Sequence, residues 1–385
     1  MSASWHLVTG EYPPQAGGVS DYTAALAQAL TSSGCDVHVW APPAGPDSAT
    51  APFVHRLPDR FQRKGLRALD AGLDACAAPR IVLVQYVPQA FGMRGLNVGF
   101  CRWVDRRART RADDVRVMFH EPYYPFSAWP PQHNVLALVN RIMASQLLRA
   151  ARTAYVSTTA WTTRLRRYAP AALPFVWLPV PSSIARVDDR ARVAAMRQRF
   201  RDNGAARVVG HFGTYGSAVL ALLSPAIADL LGRRSDVRLC LLGHRSDAAA
   251  AQLTTQTPAN AGRVIGLGRQ EPADISAGLQ ACDVVLQPYA DGASGRRTTL
   301  MAALANGVAV VTNAGAATER VWADEGAVSL VRDASGAALA GAIVRLLEDD
   351  QECARLAARG RSMYERHFAI ERSVETLLNT SGTAP

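Results

Sequence analysis

Two adjacent arginines, Arg296 and Arg297, are followed by Thr298 and Thr299 and close a polar loop that begins at Pro288 and runs through Asp291, Gly292, Ser294 and Gly295. The run before the loop, 282–287, is short and β-branched, and the run 308–311 is apolar, with a helical stretch ending at Gly307 between them. That order is strand, loop, helix, strand, and α/β proteins bind phosphate where such a loop meets its helix. The spacing places both guanidiniums in the first helical turn, beside backbone N–H groups that have no partner within the helix and at the positive end of its dipole. A guanidinium keeps its charge and grips phosphate oxygens in pairs, so two of them suit a diphosphate.

The elements that must carry this loop are legible in the hydrophobic pattern. At 385 residues the chain exceeds what one core usually supports, so two domains are expected. Apolar strand-like runs alternate with helical patterns, the signature of parallel βαβ units. The strands expected in the first half are 5–8, 36–40, 54–57, 80–86, 115–120 and 153–157, and those in the second are 207–212, 237–242, 263–267, 283–287, 308–312 and 327–331. Between the halves, Pro179 and Pro181 disfavour helix, which puts the boundary between a domain of residues 1–180 and one of 186–360. The expected fold is α/β, two Rossmann-like doubly wound parallel sheets facing a cleft, since ligands bind at the carboxyl ends of such strands.

Two further places offer chemistry. The loop after the first strand carries Gly17 and Gly18 just before a helix that contains Asp21 and Tyr22, so backbone approaches a ligand closely there. The fifth strand ends at His120 and Glu121, with Tyr123 two residues on, which directs polar groups into the cleft. Tyr22, Tyr123, Tyr124 and Trp129 are candidates to stack on a ligand's rings.

Composition narrows the classes. The first loop lacks G-x-G-x-x-G, which argues against a dinucleotide oxidoreductase. Six cysteines lie far apart with no C-x-x-C pair, so neither structural zinc nor a disulfide framework is expected, and no metal site is assigned. The formal net charge of +10 rests on arginine, because Lys64 is the only lysine. No zinc-finger spacing, RNP-like strand or lysine-rich arm accompanies that charge, so nucleic acid is not expected as a partner. Basic segments at 60–67 and 102–111, with interleaved Leu66, Leu69, Trp103 and Val104, suit peripheral contact with an anionic membrane or a solvated basic face. No run reaches the ~18 apolar residues of a membrane span and no secretory signal opens the chain, so a cytoplasmic location is expected, with the inner face of the membrane as the peripheral site.

Residues 11–22, the run 34–42, the turn from His120 to Pro122, and the stretches 282–288 and 302–311 together resemble the GT-B fold glycosyltransferases of family 4, with the similarity spanning nearly the whole chain. The resemblance implies transfer of a sugar from a nucleotide-diphosphate sugar, the donor substrate, to a saccharide, lipid-linked or other hydroxyl acceptor, with retention and no required metal or cofactor. It assigns the donor to the second domain and the acceptor to the first, and returns a C-terminal helix within 361–385 to the first. Gly17 and Gly18 match the loop at the donor diphosphate and His120 the histidine beside the transferring sugar, where it would position the sugar and stabilise developing charge. On the donor it places Gly213, Thr214, Asp291, Gly292, Ser294, Gly295, Thr298 and Thr299; on the acceptor side, Asp21, Tyr22, Glu121 and Tyr123.

Two features depart from that pattern. Two glutamates eight residues apart are usual around the donor loop, and here Ser294 and Ala302 stand in their places, with Asp291 the nearest carboxylate to the first. The arginine and lysine usual after the first strand of the second domain are absent from 212–217, which leaves Arg296 and Arg297 to neutralise the diphosphate. Two other readings stay open on these grounds: a non-catalytic sugar-nucleotide-binding scaffold, and a sugar-nucleotide epimerase of related architecture.

Overall fold

The computed structural model describes residues 3–45, 51, 53–111, 113–128, 132–201 and 206–380. Trp129 and the tail 381–385 lie outside the described residues. The chain divides into two compact units, one of Met1–Pro179 with Ile370–Pro385 and one of Val180–Ala369.

The first unit runs β1 (Ser4–Thr9), α1 (Gly18–Ser32), β2 (Val37–Ala41), β3 (Val54–Arg56), α2 (Arg63–Ala75), β4 (Arg80–Tyr86), α3 (Val98–Thr110), β5 (Asp113–Phe119), α4 (Gln132–Ala150), β6 (Thr153–Val156), α5 (Thr159–Arg166) and β7 (Phe175–Trp177). Its seven strands lie in the order β3-β2-β1-β4-β5-β6-β7, every pairing parallel. Every residue of β1 and of β4 is buried, as expected of a parallel sheet covered on both faces. Leu69 of α2, Phe100 of α3, Leu147 of α4 and Leu165 of α5 share one core with Val84 and Val117. The alternate strand residues point to the opposite face. There Arg116 donates through Nη1 to the Leu377 carbonyl at 3.0 Å. Strand β7 has no counterpart among the expected strands: three residues between Pro174 and Pro179 are too short to show a period.

The second unit runs α6 (Arg190–Arg201), β8 (Arg207–Phe212), α7 (Ser217–Arg233), β9 (Val237–Leu242), α8 (Ser246–Gln256), β10 (Val264–Gly266), α9 (Pro272–Gln280), β11 (Val284–Gln287), α10 (Thr298–Ala305), β12 (Ala309–Asn313), α11 (Val321–Asp324), β13 (Ser329–Val331), α12 (Gly336–Glu348) and α13 (Asp350–Met363). Its six parallel strands take the order β10-β9-β8-β11-β12-β13. Leu239, Leu241, Leu286 and Val311 meet Ile227 and Ile343 in its core. Residues 361–369 belong to this unit rather than to the returning segment, because Phe368 stacks on Trp322 with ring centroids 5.2 Å apart. Only α14 (Ile370–Asn379) joins the first unit, where it packs on α1.

One buried ion network ties the amino ends of β4 and β5 together. Asp113, whose side chain is 0% exposed, accepts from Arg80 Nε and from Arg107 Nε, each at 2.6 Å. The parallel register that sets Arg80 beside Asp113 makes the first contact. Arg107 then reaches Asp70 and Asp74 at 2.8 Å each.

Three imidazoles couple folding to pH. Burial pulls the pKa of His6, His120 and His211 from 6.5 to about 3. The unfolded chain therefore takes up protons near pH 6.5 that the folded chain refuses until about pH 3, so stability present above the first value is lost as pH falls toward the second. Each imidazole contributes ~1.4 kcal/mol per pH unit inside that window, while carboxylates stay ionised down to about pH 5. Urea midpoints at about pH 7.5 and about pH 5.5 are expected to differ, the lower pH giving the lower midpoint. Equal midpoints would contradict the burial of these rings as neutral groups.

Candidate functional site

At the carboxyl end of β5, His120 is buried, its backbone N–H donating to the Tyr86 carbonyl at 3.1 Å. Trp161 Nε1 donates to the His120 carbonyl at 3.1 Å, and the Tyr22 ring stands edge-on to the imidazole at 5.0 Å. The His120 Nε2–H donates to Gln85 Oε1 at 2.8 Å. A carboxamide oxygen only accepts, so the proton sits on Nε2 and Nδ1 keeps a lone pair. Because burial holds the ring neutral, His120 offers a ligand a hydrogen-bond acceptor and not a positive charge.

Around His120 the first unit gathers carboxylates. Glu11, on the loop between β1 and α1, has its pKa raised by burial and by the nearby charges of Glu121 and Asp21. Asp21 and Glu121 themselves are exposed. A Cβ on Gly17 would stand 2.3 Å from Glu11 Oε2, whereas one on Gly18 would meet nothing. Gly17 is thus the position that lets Glu11 fold under the helix start, and α1 begins with no side-chain cap on its free N–H groups. The aromatic assignments change. Tyr22 is 3% exposed and supports the imidazole; burial removes the ring face that stacking on a ligand requires. Tyr123 donates to the Arg164 carbonyl at 3.2 Å and lies under the Arg141 guanidinium, packed into the core's edge.

In the second unit, Arg296 and Arg297 precede α10 rather than occupying its first turn, with Arg297 at its N-cap. Both pair with Asp291: Arg296 Nη2 lies 2.6 Å from Oδ2, and Arg297 Nη2 bonds Oδ1. The Arg297 guanidinium also lies 4.5 Å from the Tyr289 ring centroid. Asp291 is therefore engaged by both guanidiniums. The side chains of all three are 22–30% exposed, so solutes reach them.

A second loop clamps this one from behind. Tyr289 N–H donates to Asn313 Oδ1 and Asn313 Nδ2 to the Tyr289 carbonyl, each at 2.8 Å. Gly292 takes φ 89°, and a Cβ there would stand 2.3 Å from Gly315 N, so only glycine fits. Glu319, itself buried, accepts from Gly295 N–H at 3.1 Å and from Trp322 Nε1 at 2.8 Å. Gly292, Ser294 and Gly295 are buried in consequence, and Ser294 Oγ has no hydrogen-bond partner among the described residues. Ala302 is also fully buried, so the position reserved by resemblance for a ribose-binding carboxylate is a methyl group in the core.

The remaining donor positions stay nearer the surface. Tyr289 hydroxyl bonds Thr299 Oγ1 at 2.8 Å and Gln287 Oε1 at 3.2 Å, while Gln287 Nε2 donates to the Phe212 carbonyl at 3.0 Å. These bonds link the loop after β11 to the one after β8, where Gly213 is buried, Thr214 is exposed and no side chain is cationic. Thr298 is half-buried beside the arginines.

Gln85 and Glu319 were not singled out from the sequence. Gln85 interrupts the otherwise apolar end of β4, and Glu319 is the one carboxylate between β12 and α11; a polar residue amid apolar neighbours is the signal in both. Among the described residues no group of three or more His, Cys, Asp or Glu is arranged to hold a metal ion. No described helix is long and apolar enough to cross a membrane.

Residues 206–349 match the family model described as glycosyl transferases group 1. A stretch of 148 residues is 31% identical to phosphatidyl-myo-inositol mannosyltransferase of Mycolicibacterium smegmatis, covering 38% of this chain and 37% of that protein. Sucrose-phosphate synthase from Thermosynechococcus elongatus superposes over 99% of this chain and 98% of its own, with TM-score 0.73 and 16% identity. Anabaena HepE, solved in complex with UDP and glucose, does so over 100% of both chains, with TM-score 0.70 and 16% identity. The chain thus has the GT-B fold of two parallel-sheet α/β units, and residues 206–349 of its second unit are similar to group 1 glycosyl transferases.

Proposed function

We propose that the protein transfers a sugar from a nucleoside-diphosphate sugar held by the second unit to a hydroxyl group of an acceptor held by the first, with retention and without a metal ion. The observation that carries this reading is the pair Arg296 and Arg297, fixed on one carboxylate at the start of α10, inside the stretch matched by the family model. Breaking the bond from the anomeric carbon to oxygen leaves growing negative charge on the diphosphate. Guanidiniums held in place beside it lower that barrier with little rearrangement during the reaction. Asp291 spans both guanidiniums as a pair of phosphate oxygens would, so the diphosphate exchanges one bound anion for another of greater charge.

His120 contributes alignment. Its Nδ1 lone pair accepts from a sugar hydroxyl, and Gln85 fixes the ring that presents it. The carboxylates of Asp21 and Glu121 accept from further hydroxyls of the acceptor. No protein nucleophile is needed: the acceptor oxygen forms the new bond to the anomeric carbon, the departing phosphate oxygen keeps the bonding electrons, and it takes the acceptor's proton. HepE was solved with UDP and glucose, which makes UDP-glucose the first donor to try, followed by other bases and sugars.

Calorimetry against such a panel is expected to find one donor that binds and is slowly hydrolysed without acceptor. His120→Ala is expected to lower that turnover by ~100-fold while donor affinity stays within a few-fold. No binding by any member would favour the scaffold, and conversion of the sugar without release of nucleotide would favour an epimerase.

A further inference from the structure

The outward face of α2, α3 and α4 in the first unit is apolar and cationic at once. On α4, Val135, Leu138 and Ile142 are 61%, 55% and 44% exposed, and their spacing places them on one stripe. Phe126, on the loop before α4, is 58% exposed with the Arg141 guanidinium 3.9 Å from its ring centroid. Met93, on the turn before α3, is 57% exposed and is followed by Arg94. Large side chains in this number rarely face water on one side of a soluble unit without a partner.

Beside the stripe, α2 and α3 border a groove of about 460 Å³ whose walls carry Arg63, Arg67, Arg102 and Arg106. The two basic segments that are separate in sequence thus meet across one groove. Asp70 lies 3.6 Å from Arg106. Arg63, Arg67 and Arg102 have no acidic partner among the described residues. Residues 75–104 and 122–150, which carry Met93, Phe126, the first half of α3 and all of α4, contain no Asp or Glu.

We propose that this face seats the protein on an anionic lipid bilayer, with the groove arginines on lipid phosphates and Phe126, Leu138 and Met93 entering the boundary between headgroups and acyl chains. Charge selects that occupant. A second copy of the chain would bring its own arginines against these with few carboxylates to receive them. Nucleic acid would satisfy the arginines and leave the aliphatic stripe in water. The inference rests on the first unit alone and holds whether or not the transferase reading does.

Sedimentation with vesicles tests it. The protein is expected to bind vesicles of mixed phosphatidylcholine and phosphatidylglycerol at least about tenfold more tightly than phosphatidylcholine alone, and to release as salt rises. Leu138→Glu with Ile142→Glu, and separately Arg63→Glu with Arg102→Glu, are each expected to weaken that binding by about tenfold or more with unchanged melting temperature. All four positions are exposed, so both variants are expected to fold. Equal binding to both lipids, binding to neither, or variants that bind as the parent does would overturn the proposal. So would a concentration-dependent dimer in sedimentation velocity that Leu138→Glu dissolves, since the second copy would then be the occupant.

Discussion

Alanine at Arg296 or Arg297 is expected to lower turnover of the nucleotide sugar by ~100-fold for each single variant and by ~1000-fold or more for the pair, the scale of losing a preorganised charge-stabilising group. Both arginines pair with Asp291, and Asn313, Gly315 and Glu319 hold the loop behind them. Truncation therefore removes charge without releasing the loop. The loss is expected mainly in kcat, because the diphosphate is most charged when it departs. Lysine at either position is expected to recover little, since an ammonium lacks the planar fork that grips two oxygens. Steady-state kinetics on the parent and these variants decide it. Single variants within threefold of the parent would refute the role.

Asp113→Ala is expected to cost the first unit ~3–5 kcal/mol, the usual result of stranding buried charge by removing its partner. The carboxylate is fully enclosed and neutralises Arg80 and Arg107 together. Arg107, 1% exposed at its side chain, keeps Asp70 and Asp74 but loses its innermost contact. Asp113 opens β5 and His120 follows the same strand's far end, so activity per folded molecule should be unchanged. Urea denaturation followed by tryptophan fluorescence measures the first part and specific activity of the folded fraction the second. A loss under ~1 kcal/mol would show that the arginines find water instead.

Much of this molecule can be read before any coordinates. The alternation of β-branched runs with helical stretches specifies parallel βαβ units because a strand buried on both faces is mostly apolar, as residues 81–84 of β4 and 284–286 of β11 are. The same pattern locates His120 and the arginine loop at carboxyl ends of strands, where polar side chains leave the sheet. Nothing local announces β7, whose three residues gain strand form only by pairing with β6.

Sequence by itself thus determined the fold class, the near-absence of lysine, and which loops carry cations. Tertiary structure alone decided what those groups touch. Whether Asp291 faces a ligand or its own arginines, whether Tyr22 stacks on a sugar or on His120, and whether His120 is charged depend on contacts between residues distant in the chain. Each is a question of distance and burial in three dimensions. Periodicity along one strand or helix records which face is buried but not what it is buried against.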